Sequence, residues 1–353
     1  MGTAKTPVLW TTGAPGAGKS TTAWGLYRRI VEAGGNVAYV DIDQLGLIGP
    51  PPGGGDAAHA IKAANLLRVL EILGARGAAQ LVVSGVVDPA KPYIEGHGFD
   101  LTLVRLTCDR DELRSRFLGR GSPAAALPDL FAIADAYDSR GFGEEMDTTG
   151  QHPDETVEAL FHRCVVDNGS VRPPEPGRPL PGPVTVVIGP TAVGKSTAAF
   201  SALRDLWERD LPVAYVDLAQ LGFAHPGPDP ALEAALLSAV WRGYRDAGAK
   251  HLIVVARDFR PEHRRVFDDV SVVHLDADEP SLTERVRRRA EGESALLAGD
   301  ELRGAPPGVR DRVAARAIAE AARMRRSGDR VVLDTSGQEP AETAAALLAV
   351  LAQ

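Results

Sequence analysis

The chain has 353 residues, a formal charge of −8 and only two cysteines, Cys108 and Cys164. Length alone favours two domains, since soluble domains run to roughly 100–200 residues. The mixed charge leaves no electrostatic footprint for nucleic acid, and two cysteines build neither a disulfide framework nor a metal knuckle. No apolar run approaches the ~18 residues that cross a bilayer. The start, Met-Gly-Thr-Ala-Lys-Thr, fits a loose acylation pattern but runs straight into an apolar strand, so a cytoplasmic protein without a membrane partner is expected.

An apolar run, Val8 to Thr12, leads into Gly13-Ala-Pro-Gly16-Ala-Gly18-Lys19-Ser20-Thr21. This satisfies G-x-x-x-x-G-K-[ST] between a strand and a helix. Glycines let backbone N–H groups converge on phosphate oxygens, and the helix start adds its positive end. Lys19 is then expected on the β/γ-phosphates of ATP and Ser20 on Mg²⁺.

The next strand, Val37 to Val40, leads into Asp41-Ile-Asp43-Gln44. Two carboxylates two residues apart on a strand share a face, so both could address one ligand at the sheet's carboxyl edge. One would sit on the metal side and the other accept a proton from an attacking hydroxyl. A strand-end Asp also serves as an ordinary turn residue.

A Pro-Pro-Pro-Gly-Gly-Gly stretch follows, then Asp56, His59, Lys62, Asn65 and Arg68. Spacings of three place Lys62, Asn65 and Arg68 along one side of a helix, either a substrate-binding face or a solvated one. Strands are expected at Leu81 to Val83, ending in Ser84-Gly85, and at Leu101 to Leu106, with Gly143 to Met146 as a weak fifth. Arg116 and Arg120 share a helix face between the last two, and could reach a transferred phosphoryl or pair with Asp111 and Glu112.

The whole pattern then recurs. Lys195 lies 195 − 19 = 176 residues after Lys19, and the same offset carries Val37-Ala-Tyr-Val-Asp41 onto Val213-Ala-Tyr-Val-Asp217. The second loop, Gly189-Pro-Thr-Ala-Val-Gly194-Lys195-Ser196-Thr197, repeats the phosphate-binding motif, with Ser196 and Asp217 on the expected metal side. Gly248-Ala-x-x-Leu252, Leu282-x-x-Arg285-x-x-x-Arg289 and Asp334-Thr-Ser-Gly-Gln338 complete the copy, the last strand being Arg330 to Leu333. A longer insert, Glu291 to Asp329, is a candidate lid. Between the copies, Val171 to Pro183 holds six prolines and two glycines, an extended linker. The expected domains are therefore 1–168, a linker at 169–183, and 184–353.

Near-continuous apolar strands alternating with helices imply α/β domains with parallel sheets. Each copy resembles the small P-loop kinases grouped with shikimate kinase, gluconate kinase, adenylyl-sulfate kinase and chloramphenicol phosphotransferase. The Walker A loop, Asp41-x-Asp43, Ser84-Gly85 and the lid arginines carry the resemblance. It implies two tandem P-loop NTPase, NMP-kinase-like, three-layer α/β/α domains, with ATP and Mg²⁺ as cofactors. It also implies that Asp41 is the metal-side carboxylate, Asp43 the substrate-hydroxyl base, and Lys62, Asn65 and Gly85 lie on the acceptor side. Arg120, nearer the lid, is the stronger candidate for the transferred phosphoryl.

The copies differ where chemistry would occur. Ala219 stands opposite Asp43, Glu233 opposite Lys62 and Leu236 opposite Asn65. Copy two either binds nucleotide without transfer or uses another base and acceptor, for which Arg257 and Asp258 are available. The expectation is a small-metabolite kinase acting from copy one, with a nucleotide-binding copy two; a homo-oligomer stays open. The rival is an ATP-dependent switch or scaffold with no phosphorylated product.

Overall fold

A computed structural model describes residues 5–50, 55–86, 98–175, 179–221, 223–293, 297–326 and 331–351. Most of the triple-proline stretch and parts of the linker and of the 291–329 insert lie outside the described residues.

The first copy runs β1 (Thr6–Thr12), α1 (Lys19–Glu32), β2 (Val37–Asp41), a 3₁₀ turn (Ile42–Leu45), β3 (Ile48–Gly49), α2 (Gly55–Arg76), β4 (Gln80–Ser84) and β5 (Phe99–Thr107). It continues with α3 (Arg110–Gly119), α4 (Leu127–Arg140), β6 (Glu144–Asp147) and α5 (Pro153–Phe161). The second copy runs β7 (Leu180–Ile188), α6 (Lys195–Glu208), β8 (Val213–Asp217), α7 (Leu218–Leu221), β9 (Phe223–His225), α8 (Pro230–Asp246) and β10 (His251–Val255). It ends with α9 (Pro261–Arg264), β11 (Phe267–Asp276), α10 (Glu279–Ala290), α11 (Pro307–Arg325), β12 (Val331–Asp334) and α12 (Pro340–Leu351).

Two six-stranded sheets result, ordered β6-β5-β1-β4-β2-β9 and β12-β11-β7-β10-β8-β3. In each, the five strands of one copy are parallel. Both are α/β folds of the P-loop type. The inner strands β1, β2 and β4 are largely apolar, as a sheet covered on both faces requires: Val8, Leu9, Trp10, Val37 to Val40 and Leu81 to Val83 are all buried. The weak fifth strand of copy one forms one residue later than expected, at 144–147, because Gly143 turns with a φ of 71° before it.

The sixth strand of each sheet was not legible in the sequence, and it is antiparallel. β9, from copy two, pairs with β2 of copy one through Val37↔His225 and Tyr39↔Phe223. Reciprocally, β3, from copy one, pairs with β8 through Ile48↔Ala214 and Gly49↔Val213. The compact units are accordingly non-contiguous. The first comprises Met1–Gly46, His59–Glu175 and Gly222–Asp229, and the second comprises Leu47–Ala58, Pro176–Leu221 and Pro230–Gln353.

Within the first unit, Phe223 joins an aromatic group with Trp24 (ring centroids 4.8 Å apart), Tyr39 (5.7 Å) and Tyr27 (6.3 Å). Arg76, buried, donates to the Pro226 carbonyl at 2.6 Å and pairs with Asp229. Within the second unit, Leu47 packs on the core, its N–H meeting the Tyr244 hydroxyl at 3.1 Å. A Cβ on Gly49 would stand 2.6 Å from the Trp207 ring, so the exchanged strand is as closely fitted as any other. Proline directly after each exchanged strand, Pro50 and Pro226, limits further pairing at this edge.

Candidate active site

Both phosphate loops lie between a central strand and its helix, at the carboxyl edge where the strand order switches direction. Gly13, at φ 134°, comes so close to β5 that a Cβ would stand 2.3 Å from the Leu106 carbonyl oxygen. Gly18, at φ 94°, is the N-cap of α1; no side chain caps this helix and its first turn has no acid. The N–H groups at the helix start therefore remain available to an anion, backed by the helix dipole. α6 repeats this, with Gly194 as N-cap at φ 100°.

Lys19 Nζ donates to the Ala14 carbonyl at 2.9 Å, and Lys195 Nζ to those of Gly189 and Pro190 at 2.9 and 2.8 Å. Burial pulls both ammonium groups down to about 8, against the attraction of Asp43 and Asp41 on Lys19 and of Asp217 and Glu320 on Lys195. A buried cation so weakly compensated is a strong attractor for phosphate.

The Ser–Asp pair expected on the metal side has the same geometry in both units. Ser20 Oγ donates to Asp41 Oδ2 at 3.1 Å, and Ser196 Oγ to Asp217 Oδ2 at 2.9 Å. Burial raises both carboxyls above their usual range. A desolvated carboxylate beside a hydroxyl oxygen suits Mg²⁺, which takes few protein oxygens and completes its shell with water and phosphate. Among the described residues no cluster of three or more His, Cys, Asp or Glu could hold a metal by itself.

Asp41 and Asp43 do not share a strand face. β2 ends at Asp41, and Asp43 lies in the 3₁₀ turn, where its N–H donates to Asp41 Oδ1 at 3.0 Å. The turn, rather than strand pleat, brings the two carboxylates to one site. Asp43 is half-exposed and accepts from Lys62 Nζ at 2.6 Å. The Lys62 stem lies over Gly46, where a Cβ would come within 2.3 Å of Cγ.

Asn65 does not join Lys62 on an open face. It is fully buried, and its amide donates to the Leu45 carbonyl at 2.9 Å, bracing the turn that carries Asp43. Gly85 serves close packing: at φ 129°, a Cβ would fall 2.2 Å from Ile42 Cγ2.

The lid arginines separate into two kinds. Arg116 donates to Thr148 Oγ1 and its carbonyl, both at 3.0 Å, and pairs with Glu112. Arg285 holds Thr335 in the same way and also the Val193 carbonyl at 2.9 Å. These inner arginines pin the loop after the fifth strand. Arg120 is exposed, stacks over Phe117 at 5.1 Å, and its charge acts on Lys19. Arg289 pairs with the buried Asp300 at 3.0 Å, and its charge acts on Lys195.

In the second unit Ala219 takes the place of Asp43, its N–H again on Asp217 Oδ1 at 3.1 Å, so the turn persists without the carboxylate. Glu233 pairs with buried His263 at 3.0 Å. His263 Nδ1 also accepts the Arg260 N–H at 3.3 Å.

Several solved structures are similar to about 45% of this chain. Solved structures with this likeness include the Deinococcus radiodurans tunicamycin resistance protein, at 17% identity over 45% of this chain and 95% of that one, with a TM-score of 0.37. Mycobacterium tuberculosis APS kinase in complex with AMPPNP and APS matches at 20% identity over 45% and 98%, with a TM-score of 0.32. Shikimate kinase from Bacteroides thetaiotaomicron matches at 15% over 45% and 96%, with a TM-score of 0.31. No family model and no curated protein matches the chain. Among the described residues no helix is long and apolar enough to cross a membrane.

Proposed function

We propose that the first unit is an ATP- and Mg²⁺-dependent kinase of a small metabolite hydroxyl, and that the second binds nucleotide without transferring its phosphate. The observation that carries this reading is Asp43. It is an accessible carboxylate tied to the metal-side Asp41, coupled to Lys19 and paired with Lys62.

In this reading the N–H groups at the start of α1 and Lys19 hold the phosphates, and Ser20 and Asp41 hold Mg²⁺, which spreads the charge on the transferring group. An acceptor hydroxyl entering beside Asp43 gives up its proton to that carboxylate as its oxygen attacks the γ-phosphorus in line. ADP leaves with the bridging oxygen. Lys62 is placed to exchange Asp43 for an anionic group on the acceptor. Arg120, whose charge acts on Lys19, would meet charge on the phosphoryl group. Arg116 acts at one remove, positioning the 148–150 loop.

Asp43→Asn is expected to abolish transfer from labelled ATP across a metabolite panel while ATP still binds. Retained transfer in that variant would sink the assignment. A wild type that hydrolyses ATP but yields no phosphorylated product on any acceptor would instead favour a nucleotide-driven switch.

A further inference from the structure

The two phosphate loops differ at a position the motif leaves free. Thr191 stands 191 − 176 = 15 residues into the alignment, opposite Pro15, so only the second loop has an N–H there. That N–H is taken. Glu320 Oε2, from α11, accepts it at 2.7 Å, and the Glu320 charge also acts on Lys195 Nζ.

α11 is held in this pose by Ala317 and Ala321, which flank Glu320 and are buried in the core cluster with Val187, Val193 and Leu282. Thr191 Oγ1 is itself buried and has no hydrogen-bond partner. In copy one the offset 334 − 147 = 187 places Ile133 opposite Glu320, on α4. The first loop thus has neither the donor nor the acceptor of this contact.

We infer that the second phosphate loop is closed by its own Glu320, whose carboxylate holds the Thr191 N–H and adds negative charge beside Lys195, so that a nucleoside triphosphate enters only by displacing it. The physical basis is competition between anions. Glu320 already satisfies one loop donor and part of the Lys195 charge, and a phosphate chain brought into the same cradle meets like-charge repulsion until the carboxylate leaves. α11 lies in the insert that lengthens copy two, so its displacement would report loop occupancy to the rest of that insert.

This inference rests on the reading of the second loop as a nucleotide site, and the test separates the two. In a Lys19→Ala background, which silences the first loop, Mg-ATP binding is measured by calorimetry with and without Glu320→Gln or Glu320→Ala. Both variants are expected to bind at least about tenfold more tightly, the equivalent of removing one competing charge-assisted hydrogen bond. Lys195→Ala added to either should remove the gain. Lys195-dependent binding that is equal or weaker in both Glu320 variants overturns the closure and leaves the nucleotide site standing. Absence of Lys195-dependent binding in every protein, with circular dichroism showing them folded, overturns the nucleotide site and the closure together.

Discussion

Phe223 belongs by sequence to copy two and by structure to the first unit, so Phe223→Ala separates the two descriptions. The ring is half-buried, with Trp24, Tyr39 and Tyr27 around it. Truncating a fully buried Phe costs about 3–5 kcal/mol, and an aromatic pair contributes about 0.5–1.5 kcal/mol beyond area. For a half-buried ring in three such contacts a loss of about 2–3 kcal/mol is expected, confined to the first unit. At about 1.4 kcal/mol per factor of ten, β2 amides 37–41 should open about 30- to 140-fold more often. Hydrogen exchange read by mass spectrometry resolves this directly, since peptides from 20–41 and 195–217 are distinct. Gly49→Ala is the mirror experiment: its Cβ would enter the Trp207 ring, so protection should fall in 195–217 and hold in 20–41. If Phe223→Ala loosened 195–217 and left 20–41 unchanged, the strand exchange would be refuted.

Gly85→Ala should cost about 3 kcal/mol by thermal or chemical unfolding, because the new Cβ meets Ile42 at 2.2 Å and φ is 129°; a neutral effect would show that the Asp41–Ile42 turn yields easily. His251 is held below its ordinary range by burial, opposed by Asp269, and shares a hydrogen bond of 2.9 Å with Thr185. On acidification through the unfolded value near 6.5 the unfolded chain takes up this proton first, so the unfolded state binds more protons and stability falls as pH drops. His251→Gln should flatten that part of the unfolding profile, and an unchanged slope would remove His251 as its source.

The duplication, the two phosphate loops and the parallel strands were legible because each is a local pattern: a glycine spacing fixed by backbone approach to phosphate, and apolar runs fixed by burial on both faces. The loss of a carboxylate at Ala219 was legible for the same reason, since a constant offset compares like with like. Asn65 was misread because helical spacing shows which residues share a side and not which side is buried. Its amide faces Leu45, not an open cleft. The Asp41 and Asp43 pair was read correctly as a pair but by the wrong geometry, a pleat instead of a turn.

What only tertiary structure decided are the contacts between residues far apart in the chain. Strands of two and three residues, Ile48–Gly49 and Phe223–His225, carry too few side chains to show a period, so their exchange between units is invisible in sequence. Glu320 lies 320 − 191 = 129 residues from the loop N–H it occupies. Sequence by itself determined the two glycine-rich loops and their strand-to-helix setting, because that motif is a short-range pattern. Which strand completes which sheet, and which carboxylate meets which loop N–H, depended on packing of surfaces that no local pattern encodes.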